Sequence, residues 1–214
     1  MNLRKLTPEK VKFLRENIKS FTEGEQVAIL EALEELDNRK TSDEARVSLL
    51  QFAQLMMPEY KIGPHHRELA GLLEDMAHGK RNRTTVSIAP RMGKSQLTSI
   101  FFPAWFIGNW PDKKIMMVSH TSDLAVDFGR KVRNIVATEE YKRVFPDVTL
   151  AVDSKSAGRW STNKGGEYFA VGIGGAIAGR GAHLLVIDDP HNEQDILNGN
   201  FEVFEKAYEW YAYG

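Results

Sequence analysis

Cysteine is missing from this chain altogether. That excludes a disulfide framework and a thiolate metal site, and six scattered histidines do not make a structural zinc site. An excess of charge of one sign is missing too. With 28 Lys and Arg against 29 Asp and Glu the formal net charge is -1, so no global basic field draws nucleic acid in, and any such role has to rest on a local cluster. Long hydrophobic runs are also lacking. The longest, over residues 100 to 107, is broken by Pro103 and falls far short of the roughly 20 residues of a membrane-spanning helix. The opening "MNLRKLTPEK" has no apolar signal core, so an intracellular setting without a membrane segment is expected. No internal repeat or low-complexity tract stands out.

What is present is ordinary globular material: 214 residues, 42% of them apolar, enough for one sizeable domain with an appendage or for two small domains. Residues 1 to 46 are charge-rich. Val11, Leu14 and Ile18 keep helical spacing, as do Val27, Ile29, Leu30, Leu33 and Leu36, and Pro8 suits a first helical turn. Two amphipathic helices are expected there, as an arm or a small helical subdomain, with the main domain over 47 to 214. A helix is predicted over 65 to 77, stopped by Gly79, then a buried strand over 84 to 89 and a helix from Lys94. A second strand, 115 to 119, precedes a helix over 121 to 137 whose Leu124, Phe128, Val132, Ile135 and Val136 make one face. Strands alternating with helices at this spacing predict a parallel, doubly wound sheet. A hairpin turning at residues 163 to 166 follows, and a last buried strand, "HLLVI", ends in "DDP".

The stretch "SIAPRMGKSQ" carries the chemistry. A strand, a tight loop and a helix opening with Gly93-Lys94-Ser95 supply backbone N–H groups, a lysine for the β- and γ-phosphates, and a hydroxyl for Mg²⁺. Pro90, Arg91, Met92, Gly93, Lys94, Ser95 and Gln96 are therefore the expected nucleotide-binding residues, although Ile88 stands where the usual pattern has its first glycine. The second element is "LLVIDD", an apolar strand delivering carboxylates at its C-terminal end, where ligands of parallel sheets sit. Asp188 is expected to hold Mg²⁺ through water, together with Ser95, and Asp189 to orient or deprotonate the attacking water. Asp189 is one C–C bond, about 1.5 Å, shorter than the glutamate more often found there. Phosphoryl transfer also needs cations against developing charge, and Arg91 and Arg180 are the catalytic candidates for it. Other features take plainer readings. "HHRE" at 65 to 68 reads as capping and packing, and Trp105, Phe106 and Trp110 as core. Lys80, Arg81 and Arg83, and likewise Arg130, Lys131 and Arg133, read as solvated charge or as phosphate contacts. The glycine-rich run from 172 to 181 lacks G-x-G-x-x-G and reads as a turn that positions Arg180.

Taken together, "APRMGKSQLTSIFFPAWFIG", "VSHTSDLAVDFGRKVRNIV", "GRWSTNKGGEYFAVGIGGAIAGRGAHLLVIDDP" and "YEWYAYG" resemble the N-terminal ATPase domain of the large terminase subunit of tailed bacteriophages. The similarity covers about residues 50 to 214. In that family the loop commonly carries Pro-Arg before x-Gly-Lys-Ser, so the resemblance makes Ile88 a family habit. It implies a P-loop NTPase of the ASCE type, with a mainly parallel sheet flanked by helices, in which the loop is Walker A and "LLVIDD" is Walker B. It further implies an ATP- and Mg²⁺-dependent motor moving double-stranded DNA into a prohead. The partners implied are a portal protein, a small terminase subunit and further copies of the chain in a ring, a pentamer, in the host cytoplasm and transiently on the portal. Arg180 then matches a finger acting on the next subunit. A downstream coupling motif and a nuclease domain are implied beyond Gly214, so a truncated portion without nuclease activity is expected. Two other readings remain open: a helicase-like remodelling ATPase, and a nucleotide-binding module that does not hydrolyse ATP alone.

Overall fold

The structure, a computed structural model, describes residues 7–154, 156–177 and 179–213. Residues 1–6 of the expected arm and Ala178 of the glycine-rich run lie outside the described residues. The chain divides into two compact units, Met1–Glu44 and Ala45–Gly214.

In the first unit, α1 (Pro8–Glu16) starts where Thr7 caps the amide of Lys10 and Pro8 occupies the first turn. After a short 3₁₀ turn, α2 (Glu23–Val47) begins, its last residues belonging to the second unit. Arg15 of α1 holds Asp37 of α2 through both carboxylate oxygens, at 2.7 and 2.6 Å.

The second unit continues with α3 (Leu49–Met56) and α4 (Pro64–Ala77). From Lys94 the chain is helical, with a π-helical stretch Gln96–Phe101 running into α5 (Phe102–Asn109). Residues Phe102 to Gly108 of α5 are all buried. A helix apolar on every side has no solvent face to offer and belongs inside. The Trp105 indole N–H donates to the Ala45 carbonyl at 3.0 Å, which satisfies its polar atom within the core. Trp105 and Phe106 are buried and Trp110 is half-buried against the same cluster, so these aromatics form packing rather than an open stacking platform.

Then come β1 (Lys114–Ser119), α6 (Ser122–Val136), α7 (Glu139–Val144), β2 (Arg159–Ser161), β3 (Glu167–Gly172), β4 (Leu184–Ile187), α8 (Glu193–Leu197) and α9 (Glu202–Tyr213). The strands make one four-stranded sheet in the order β2, β3, β1, β4. β1 pairs in parallel with β3 and with β4, whereas β2 pairs antiparallel with β3. The expected mainly parallel sheet is thus corrected to a small mixed one flanked by helices. Its cause is local: the turn at 163 to 166 has Gly165 at φ 87°, which folds β2 straight back onto β3 as an antiparallel edge.

The expected strand over 84 to 89 is also corrected. Residues 84 to 89 alternate between half-buried and exposed, and Val86 and Ile88 pack against the main core, yet the segment joins no strand among the described residues. Alternation reports which side chains face a core; a strand also needs a neighbour to close its ladder. Ile115, Met117, Tyr168, Ala170 and Leu184 face the main core with α5 and α6, while Met116, Val118 and Val171 face a smaller cluster closed by Ile173, Ile177 and Trp210. The α6 backbone comes close to β3 at Gly129, where a Cβ would lie 3.0 Å from the Tyr168 ring. Among the described residues no helix is long and apolar enough to cross a membrane.

Candidate functional site

The loop at 90 to 93 is built from two left-handed residues, Arg91 at φ 64° and Gly93 at φ 78°. Alternating left-handed residues curl a backbone so that successive N–H groups converge, the geometry of an anion-binding concavity. The helix that follows leaves its first amides without partners in a preceding turn, and its earliest bond beyond the loop runs from Leu97 N–H to the Gly93 carbonyl at 3.1 Å. Pro90, Arg91 and Met92 are exposed, and Gly93, Lys94, Ser95 and Gln96 are half-buried. The Thr98 hydroxyl donates back to the Lys94 carbonyl at 3.0 Å and steadies the first turn.

Two features far apart in sequence converge on Lys94. Its ammonium lies 3.7 Å from an oxygen of Asp188 and 3.4 Å from one of Asp189. The parallel register that aligns Val118 with Ile187 continues past the end of β4, since Asp188 N–H donates to the Val118 carbonyl at 3.0 Å. Both carboxylates therefore emerge at the C-terminal rim of the sheet. They differ in setting, Asp188 being 5% exposed at its side chain and Asp189 63%. Asp188 is held from its other side by the buried Ser99 hydroxyl, which donates at 2.7 Å. Ser95, the expected metal ligand, and Ser99 are four residues apart on the same helix, and it is Ser99 that meets the carboxylate.

Magnesium accepts one or two carboxylates and completes its shell with water and phosphate oxygens, so the hydroxyl of Ser95 and the carboxylate of Asp188 are donors of the right chemistry. Among the described residues no cluster of three or more His, Asp or Glu side chains is arranged to hold a metal. A polar orphan also lies beside the loop. The Tyr60 hydroxyl is buried without a hydrogen-bond partner among the described residues, and a Cβ on Gly93 would lie 3.6 Å from it. Burial pushes the Tyr60 phenol up to about 12, so it remains a donor for an oxygen placed there.

His66 grips the loop. Its ring is 6% exposed, Nδ1 accepts the Gly63 N–H at 3.0 Å, and Nε2 faces the Met92 carbonyl at 3.0 Å. Because Nδ1 accepts, the proton of the neutral ring sits on Nε2 and is donated to Met92. His65 reaches the same carbonyl at 3.1 Å. The capping and packing expected of "HHRE" is found, and it fastens the start of α4 to the loop. Burial, with the neighbouring His65 adding to it against the Met92 carbonyl, holds His66 below its ordinary value of 6.5. A lowered folded value means the neutral ring is favoured by folding. The stability it brings is complete above the unfolded value and is lost as pH falls from there through the folded one. Between about pH 7 and about pH 5 the melting temperature of the wild-type chain is therefore expected to fall more steeply than that of His66→Gln. Parallel slopes in a thermal melt would remove His66 from this role.

Arg91 lies in the loop beside Lys94, exposed. Arg180 is not brought to this cluster. Its guanidinium stacks 4.2 Å over the Phe169 ring and lines a cavity of about 350 Å³ with Lys114, Arg159 and Glu167. Lys114 and Glu167 open β1 and β3, so Arg180 lies toward the rim opposite Asp188. Of the basic clusters, Lys80 pairs with Asp75 at 3.2 Å, and Arg130 and Lys131 share Asp127 at 3.2 and 2.7 Å, which cancels much of their local field. Ser99, Tyr60 and the clamping action of His66 were not legible as site features in the sequence. The only signal was the i, i+4 spacing of Ser95 and Ser99 on one helical face.

Residues 86–199, more than half of the chain and including both the loop and the acidic strand end, match a family model described as terminase large subunit, T4likevirus-type, N-terminal. No curated protein and no solved structure matches the chain.

Proposed function

The chain belongs to the N-terminal family of T4-like terminase large subunits, and from that premise we propose that it is an ATPase motor domain, hydrolysing ATP with Mg²⁺ to drive double-stranded DNA into a prohead. One observation above all supports the reading: the Lys94 ammonium lies within 3.7 Å of Asp188 and 3.4 Å of Asp189, between the phosphate-binding loop and the acidic strand end. Converging loop amides, a lysine and two carboxylates of unequal exposure are what phosphoryl transfer to water requires of a protein.

Bound Mg²⁺ supplies neutralisation of phosphate charge and in-line alignment. The chain's own residues do the rest. The Gly93 to Gln96 backbone and the Lys94 ammonium hold the polyphosphate, Pro90 and Met92 shape the loop, and Ser95 and Asp188 offer the metal its oxygens. Asp189, exposed and acceptor-only when ionised, orients the attacking water and takes its proton. Arg91 stabilises charge within the same subunit. Arg180, lying toward the far rim of the sheet, serves the nucleotide of the next subunit in a ring. That ring, a pentamer on the portal protein supplied with DNA by a small terminase subunit, belongs to the same proposal, as does the ASCE form of the P-loop fold.

The test is equilibrium binding of a fluorescent ATP analogue to the whole chain with and without Mg²⁺, followed by phosphate release from ATP. Mg²⁺-dependent saturation at or below about 1 mM nucleotide is expected. No binding at that level overturns the reading. Tight binding with no phosphate release, even in the assembled packaging complex, favours a nucleotide-binding module instead.

A further inference from the structure

Asp189 has φ 45°, the left-handed region, although it is not glycine and is followed by Pro190. A residue before proline ordinarily takes an extended conformation, and a non-glycine residue in the left-handed region persists only where its surroundings over-determine it. Those surroundings are specific. The Asp189 carbonyl accepts the His120 backbone N–H at 3.1 Å and faces the His120 Nδ1 at 3.1 Å, with the Ser119 hydroxyl at 3.5 Å. The backbone bond falls one residue beyond the β1–β4 register, which would place the Asp188 carbonyl there, and it is open to any residue but proline. The second close contact exists because residue 120 is histidine. A carbonyl has only acceptor capacity, so the ring carries its proton on Nδ1 here.

The hold matters because of what the side chain lacks. The Asp189 carboxylate is 63% exposed and is held by Lys94 at 3.4 Å, so its direction is set by the backbone beneath it. Rotation of residue 189 toward the extended region would swing that carboxylate away from Lys94. We propose that His120 is a positioning residue for Asp189, its Nδ1–H pinning the residue 189 carbonyl so that the left-handed turn aims the carboxylate into the site. The inference rests on the reading of Asp189 as the group that orients the attacking water.

The experiment uses the full chain with His120→Phe, which keeps a ring but offers no donor, and His120→Asn, whose side-chain amide restores one. Three readouts are taken: hydrogen exchange of the residue 120 amide without nucleotide, equilibrium binding of the ATP analogue, and kcat with KM. For His120→Phe, exchange is expected to accelerate about tenfold and kcat to fall by about tenfold to a hundredfold, the cost of a misaimed group. Analogue binding should stay within about twofold, because the loop contacts are intact. His120→Asn is expected to recover most of both losses. Exchange and kcat unchanged in His120→Phe, or His120→Asn faring no better than His120→Phe, would overturn the proposal. If His120→Phe does not fold, His120→Ala against His120→Asn decides the same question. A wild-type chain that neither binds nor hydrolyses ATP defeats the functional reading, while the exchange result still judges the hold on Asp189.

Discussion

Lys94→Ala is expected to lower ATP turnover by about 10²- to 10³-fold, the scale seen when one preorganised charge-stabilising donor is removed from a transition state. The reason is the position of the ammonium, 3.7 Å from Asp188 and 3.4 Å from Asp189. With it gone, two carboxylates meet an incoming polyphosphate without the ammonium that lay against both of them. Binding should weaken as well, since like charges then face each other across the loop. Lys94→Arg is not expected to rescue, because a planar fork cannot occupy the place of a compact ammonium flanked by two carboxylates. The effect on folding is expected to be smaller. Asp188 keeps its Ser99 hydrogen bond at 2.7 Å, and the Asp189 carboxylate, 63% exposed, is solvated without Lys94. Phosphate release and analogue binding, measured beside a thermal melt, separate the two effects. Turnover unchanged in a folded Lys94→Ala chain would remove Lys94, and with it the proposed chemistry.

Gly93→Ala carries the second large effect, through two separable causes. At φ 78° an alanine is strained by about 1–2 kcal/mol. The added Cβ would also lie 2.7 Å from His66 Nε2. That ring cannot retreat without giving up Gly63 N–H or the Met92 carbonyl, each at 3.0 Å. Gly165 provides the control: its φ is 87°, and a Cβ there meets nothing within 4 Å. Gly165→Ala should show the strain alone. Gly93→Ala should show strain plus collision, together about 2–4 kcal/mol if the loop holds its shape, or a loss of analogue affinity exceeding tenfold if the loop gives way. Combining Gly93→Ala with His66→Ala should relieve part of the collision, a non-additivity that a double-mutant cycle reads directly. Strict additivity, or equal effects at Gly93 and Gly165, would mean that His66 does not set the shape of the loop.

Helices α4 and α6 were legible because each carries its own boundary signals, whereas α3, α7, α8 and α9 were not foreseen. Pro64 opens α4, and Thr121 caps α6 by accepting the Leu124 N–H at 3.3 Å. The hairpin between β2 and β3 was legible for the same reason, its turn being dictated by a few consecutive residues. Pairing was not. Residues 84 to 89 have the alternation of a strand yet join no strand among the described residues, and the sheet is mixed where alternating elements had suggested a parallel one. At the site, Lys94, Asp188 and Asp189 stood out because the chemistry of phosphate transfer restricts residue type and order. Ser99, His66, Tyr60 and His120 did not, since a serine in a helix, a histidine at a helix start, a tyrosine in a loop and a histidine after a strand each suit many plainer roles.

By itself, then, the sequence determined the local elements, the loop with its lysine and the acidic pair at the end of an apolar run, because propensity, capping and reactive group type are properties of short segments. Tertiary structure alone decided that Asp188 and Asp189 meet Lys94, that the buried Ser99 takes one oxygen of Asp188, that His66 clasps the loop from α4, and that His120 fastens Asp189 in a strained turn. These are contacts between segments distant along the chain. Their distances depend on how the sheet registers and how the core fills, and no short stretch of residues specifies either.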